Sequence, residues 1–165
     1  MSPITFRDDK IVQEIVIKAS AERVYAALTR PEELLKWWAA EGKFKVVSAE
    51  CNLQPGGKWL MRVAACGSEE GQASTVSGEY RTVEPPHLLT YTWIRENEAY
   101  PETLVRWDLE ERDGYTTVRV THSGLITESL RTRNSGWSLI TTLLKSYVEN
   151  PAEREGKMGT SQGSI

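Results

Sequence analysis

The sequence predicts an α+β domain in which a curved, seven-stranded antiparallel sheet closes over one long C-terminal helix. Two observations carry that prediction. Between Phe44 and Gly124 most segments alternate apolar and polar residues with period two, and Gly-, Pro- or charge-rich turns separate them. The stretch Asn134 to Asn150 has a helical period instead. Trp137, Ile140, Leu144, Tyr147 and Val148 fall along one side, widened by Leu139 and Leu143, opposite Ser138, Thr142, Lys145, Ser146 and Glu149. An apolar arc of about half the circumference needs a broad concave partner. The strands upstream can supply it.

Residues 1–10 read as an N-terminal extension to a single domain over residues 11–150. Ile11 to Ala19 alternates as a first strand, with Ile15 and Ile17 expected inward. Ser20 is the expected N-cap of a short helix whose apolar side is Val24, Ala27 and Leu28. Pro31 suits the first turn of a second short helix, and Glu32 and Glu33 complement its positive end. Six strands follow: Phe44 to Leu53, Lys58 to Ala65, Thr75 to Glu84, Leu88 to Ile94, Thr103 to Arg112 and Tyr115 to Gly124. Pro55-Gly56-Gly57 and Pro85-Pro86 mark turns, and Asp113-Gly114 is the strongest hairpin signal. Leu125 to Arg133 is a connection with room for a helical turn. Asn134 or Ser135 is expected to cap the long helix, and Pro151 to end it at Asn150. Residues 151–165 are polar, Gly-rich and without period, so a disordered tail is expected.

A chain of 165 residues with 39% hydrophobic content and six Trp can bury one good core. A net charge of −3, with no Lys/Arg run interleaved with aromatics, argues against a nucleic-acid partner. Cys51 and Cys66 have no metal-ligand spacing and are too few for a disulfide framework. With two distant histidines, no metal site or other cofactor is expected. No run approaches the ~20 apolar residues of a membrane span and the N-terminus has no signal-peptide core, so a soluble, cytoplasmic protein is expected.

The runs SAERVYAALTRPEELLKWW, LQPGGKW, SGEYRTVEPPHLLTYTW and VTHSGL, with GW opening the last helix, occur in an order that resembles one family. It is the small helix-grip proteins related to the C-terminal domain of the activator of Hsp90 ATPase, within the START and Bet v 1-like (SRPBCC) superfamily. The resemblance covers roughly Ile11 to Glu149. It implies a seven-stranded sheet gripping the C-terminal helix around an elongated apolar cavity, in a superfamily whose members bind lipids, hormones or polyketides or act as cyclases and other enzymes. Stimulation of an Hsp90-type chaperone is not expected, because the chain begins about ten residues before the grip domain and lacks the additional N-terminal domain of the eukaryotic activators.

The inward parity of the strands and the apolar face of the helix name the candidate lining of a ligand site: Trp59, Met61, Tyr80, Tyr91, Trp93, Trp107, His122, Trp137, Ile140 and Leu144. Trp37 and Trp38 join them. Adjacent residues on a helix diverge by about 100°, so both are not expected in one core, and one should rim the cavity mouth or a partner surface. The expected partner is an apolar or aromatic small molecule, and a homodimer through exposed strand edges is open. Catalysis lacks an acid–base pair on the inner face, since Arg62, Glu79, Arg106, Asp108 and Arg119 take outward parity. His122, with Tyr80 and Tyr91, is the one candidate set for proton transfer in a cyclase- or hydrolase-like reaction. A hydrogen-bonded core histidine is the simpler reading of it.

Overall fold

Alternation in the sequence becomes alternation of burial in the computed structural model, which describes residues 5–7, 9–40, 44–65, 74–96 and 102–150. On β2 (Lys10–Ile17) the buried residues are Ile11, Gln13, Ile15 and Ile17. On β8 (Thr103–Arg112) they are Thr103, Val105, Trp107 and Leu109, and on β9 (Tyr115–Ser123) Thr116, Val118, Val120 and His122. With β4 (Phe44–Cys51), β5 (Lys58–Ala65), β6 (Ser74–Glu84) and β7 (Leu88–Arg95), these are the seven strands that the sequence predicts. Two short strands extend the sheet at its edges. β1 (Thr5–Arg7), inside the predicted extension, pairs with β2, and β3 (Ala39–Ala40) pairs with β4. Elements of three and two residues are too short to carry a readable period. The order is β1-β2-β9-β8-β7-β6-β5-β4-β3, antiparallel throughout. Asp113 and Gly114 take φ of 54° and 84°, the left-handed pair that closes the β8–β9 hairpin at Arg112↔Tyr115.

α1 (Ala21–Thr29) starts as expected, with the Ser20 side chain accepting from the Arg23 amide at 3.1 Å. α2 (Pro31–Trp37) carries its proline in the first turn. The turn expected before the long helix is α3 (Glu128–Arg133), capped by Thr127. The long helix, α4 (Trp137–Glu149), begins without the predicted cap. Asn134 Nδ2 donates back to Leu130 O at 2.9 Å, and Ser135 Oγ donates to Thr132 O at 2.8 Å. Both side chains close the end of α3, so Gly136 precedes α4 with no side-chain hydrogen bond.

Trp37 and Trp38 overturn the expectation that they separate. Both are buried, at 2% and 7% exposure, and their ring centroids lie 5.2 Å apart. The 100° rule fails because α2 ends between them: Trp38 is the C-cap, with φ −83° and ψ 70°. Trp37 Nε1 donates to Ala27 O at 2.8 Å and locks α2 onto α1, while Trp38 turns toward the sheet. The helical layer is tied together at Glu33, which accepts from Arg23 Nη1 at 2.7 Å and from the Tyr147 hydroxyl at 2.9 Å. α4 lies in the concavity of the sheet, its first residue, Trp137, touching Trp93 of β7, Trp107 of β8 and His122 of β9. Cys66 and the predicted tail after Pro151 lie outside the described residues.

Candidate functional site: a tryptophan-walled cavity

β5, β6 and β7 meet the first turn of α4 around a cavity of about 320 Å³. Residues from four elements line it: Met61 and Val63 from β5, Val76 from β6, Trp93 from β7, and Trp137 and Ile140 from α4. Trp38 and Phe44 also line it. The indoles form a cluster. Trp93 stacks on Trp38 with centroids 6.3 Å apart and meets Trp137 edge-on at 5.7 Å, and Trp38 meets Trp137 at 6.1 Å. Three rings from three elements therefore fix one another's orientation, as aromatic quadrupoles favour in offset and edge-to-face contacts.

Among the described residues of the wall, the polar side chains are those of Ser74, Arg95 and Asn134. Arg95 is half-buried and its guanidinium sits 5.7 Å from the centroid of the Trp93 ring. Trp93 Nε1 is buried and has no hydrogen-bond partner among the described residues.

The candidate residues divide between this wall and the core beside it. Trp38, Met61, Trp93, Trp137 and Ile140 line the cavity. Trp37, Trp59, Tyr80, Tyr91, Trp107, His122 and Leu144 are all buried, inside the fold and away from the convex face, but do not contribute to its wall. Trp59 Nε1 donates to Thr92 O at 3.1 Å and Trp107 Nε1 donates to the Tyr91 hydroxyl oxygen at 3.0 Å, so these rings are fastened by their polar tips. Burial holds the Tyr91 hydroxyl protonated, and burial and then the bond to Cys51 do the same for Tyr80.

His122 is fully buried and both of its ring nitrogens are engaged. Trp137 Nε1 donates to Nδ1 at 3.1 Å, which puts the ring proton on Nε2, 2.7 Å from Thr103 Oγ1. The Thr103 hydroxyl passes the chain on to Trp93 O at 3.3 Å. Burial, then the charge of Arg95, push the His122 pKa down to about 3. A neutral ring with no spare nitrogen, behind Trp137 and outside the wall, orients the indole that lines the cavity.

Sequence reading missed Arg95, Asn134 and Phe44. Arg95 had a signal: it shares the parity of Leu89, Tyr91 and Trp93, but the predicted strand stopped one residue short, at Ile94. Asn134, one of the two expected caps of α4, instead closes the end of α3. Among the described residues no group of three or more His, Cys, Asp or Glu side chains could hold a metal ion, and no helix is long and apolar enough to cross a membrane.

Residues 18–149 match the model of a family described as activator of Hsp90 ATPase homolog 1-like protein. A Chromobacterium violaceum protein of known crystal structure is 25% identical, with a TM-score of 0.72 over 86% of this chain and 98% of that one. An AHSA1-like protein from Aeromonas hydrophila, solved in solution, is 24% identical, with a TM-score of 0.71 over 87% of this chain and 94% of that one. The Aha1 dimer from Colwellia psychrerythraea is 23% identical, with a TM-score of 0.63 over 85% of this chain and 96% of that one. Among curated proteins no sequence matches.

Proposed function

Since the chain belongs to the activator of Hsp90 ATPase homolog 1-like family and has the helix-grip fold, we propose that it binds a small apolar or aromatic molecule between the sheet and the first turn of α4. The observation that carries this reading is the cavity itself. Its volume of about 320 Å³ falls at the lower end of small-molecule sites, and its wall pairs three mutually braced indoles with a few polar groups. Rigid aromatic walls lose little conformational freedom when they take up a ligand, which favours binding per unit of area.

Enzymatic use of the same cavity has less support. Its best candidate, His122, has both nitrogens occupied and is held neutral, and Tyr80 and Tyr91 are buried phenols with raised pKa values. A general base needs an available lone pair within reach of the substrate. Self-association is a separate proposal, supported by the Colwellia relative described as a dimer. Light scattering during size-exclusion chromatography tests it: a mass near twice 18.6 kDa supports it and a monomer mass removes it.

Native mass spectrometry tests the binding proposal. The purified protein is expected to carry, or take up from a panel of aromatic compounds, a non-covalent adduct. Leu139→Trp, which extends a half-buried residue of the wall into the space, should abolish the adduct while leaving the melting temperature within a few degrees. Absence of any adduct, or its persistence in Leu139→Trp, would remove the cavity as the binding site.

A further inference from the structure

We infer that Thr103 is a positioning residue for the ligand site: its hydroxyl fixes the imidazole of His122, and through that ring the indole of Trp137 in the cavity wall. This rests on the binding role proposed above and names a residue outside the wall that sets the wall's shape. Thr103 takes the inward face of β8, diagonally across from His122, whose direct partner in the β8–β9 ladder is Val105. The inward neighbours of the pair on their own strands, Val105 and Val120, are apolar. A hydroxyl and an imidazole buried among such residues cost stability unless their polar atoms are bonded.

The bonds run in one direction. An indole N–H can only donate, so Trp137 Nε1 takes His122 Nδ1 as its acceptor at 3.1 Å. The imidazole then donates from Nε2 to Thr103 Oγ1 at 2.7 Å, and the Thr103 hydroxyl donates to Trp93 O at 3.3 Å. The ring is held at opposite ends. Without the Thr103 hydroxyl, the Nε2 proton is a stranded donor in a fully buried site. Turning the ring toward another acceptor, or moving its proton to Nδ1, relieves that cost, and either change ends the bond to Trp137. The loss reaches the cavity because of where Trp137 stands. It is the first residue of α4, whose cap makes no side-chain hydrogen bond, so the bond to His122 ties the start of the helix to the sheet. Leu139 and Ile140 of the same turn share the wall with it, and its ring meets Trp93 and Trp38 at 5.7 Å and 6.1 Å. A bound aromatic molecule would therefore find a displaced wall once Thr103 is changed.

The experiment titrates 2-naphthol against the intact protein by tryptophan fluorescence and calorimetry, and follows the nitrogens of the His122 ring and the Trp137 indole by NMR. Thr103→Val keeps the shape of the side chain and removes its hydroxyl. It is expected to weaken the probe about tenfold, to shift the Trp137 indole N–H signal, and to cost His122 the pattern of a ring bonded at both nitrogens. Thr103→Ser restores the hydroxyl and should bind within about threefold of the wild type, with the wild-type signals. Leu109→Ala, toward the other end of the same strand, should lower the melting temperature and leave both readouts in place, which separates positioning from a general loss of stability. If Thr103→Val does not fold, the wild-type spectrum decides: a proton on Nε2 with Nδ1 accepting from Trp137 supports the inference, and a proton on Nδ1 overturns it. Unchanged affinity or an unchanged Trp137 signal in folded Thr103→Val overturns the positioning role and leaves the cavity proposal standing. Failure of 2-naphthol to bind the wild type at millimolar concentration overturns both.

Discussion

His122 shows how a single residue can be decided by its surroundings. Its two partners, Thr103 and Trp137, suit the neutral ring, and burial followed by Arg95 depress its pKa from 6.5 to about 3. Above pH 6.5 the ring is neutral in folded and unfolded chains alike and adds no pH dependence. As the pH falls below 6.5 the unfolded chain takes up a proton that the folded ring refuses until about pH 3, so stability falls with pH through that window. Between pH 7.5 and pH 5 the loss should be about 2 kcal/mol. Urea melts at the two pH values measure it, and His122→Gln should remove most of the difference; a variant with the wild-type slope would show that other groups cause it. The sequence showed only a histidine at inward parity. Parity gives burial but not partners, so its hydrogen-bonded role could be weighed there and not established. Tyr147, near the other end of α4, is a second case. Tyr147→Phe should cost about 1–2 kcal/mol in a denaturant melt, because the buried carboxylate of Glu33 loses one of its two hydrogen bonds.

Among the elements, the β5–β6–β7 segment does the most to shape the interior. Between the Ser77↔Ile94 and Tyr80↔Tyr91 pairs the ladder is interrupted, with the Glu79 amide donating to Thr92 Oγ1 at 2.8 Å and Trp59 Nε1 taking the Thr92 carbonyl. Gly78 makes this possible, since a Cβ there would lie 1.8 Å from Thr92 O and 2.7 Å from Trp59 Nε1. Gly78→Ala should therefore cost about 3 kcal/mol or more in a denaturant melt, because backbone must move and an indole bond is lost. Gly136 is the contrast: a Cβ there meets nothing within 4 Å and φ is −80°. Gly136→Ala should change stability by less than about 0.5 kcal/mol. The seven long strands, the hairpin at Asp113-Gly114 and the amphipathic last helix were legible in the sequence because period and turn chemistry are local. The cap of α4 was not. Asn134 and Ser135 are plausible caps for the helix after them and plausible closures for the helix before them, and only the spacing of α3 and α4 chooses.

At the scale of the whole molecule, the interior has two parts with different duties. Parity names the face a side chain takes but not its level along the sheet. It therefore grouped Trp59, Tyr80, Tyr91 and Trp107 with Met61, Trp93 and Trp137, although only the latter three reach the cavity wall. Near Tyr91 and Trp107 the rings are bonded to each other and fill the space; at the start of α4 the wall residues leave it open. If that division is right, stability and binding should respond to different substitutions. Trp107 is fully buried and donates to Tyr91, so Trp107→Phe should lose roughly 2–4 kcal/mol through lost volume and an unpaired phenol. The affinity for a naphthyl probe should stay within about threefold, because Trp137, the ring between Trp107 and the cavity, keeps its bond to His122. Met61→Ala should act in the opposite sense on binding, weakening the probe about tenfold by removing part of the wall, at a cost to stability of about 2–3 kcal/mol. Urea melts and fluorescence titrations of the two variants, read together, would contradict the division if both lost affinity to the same degree.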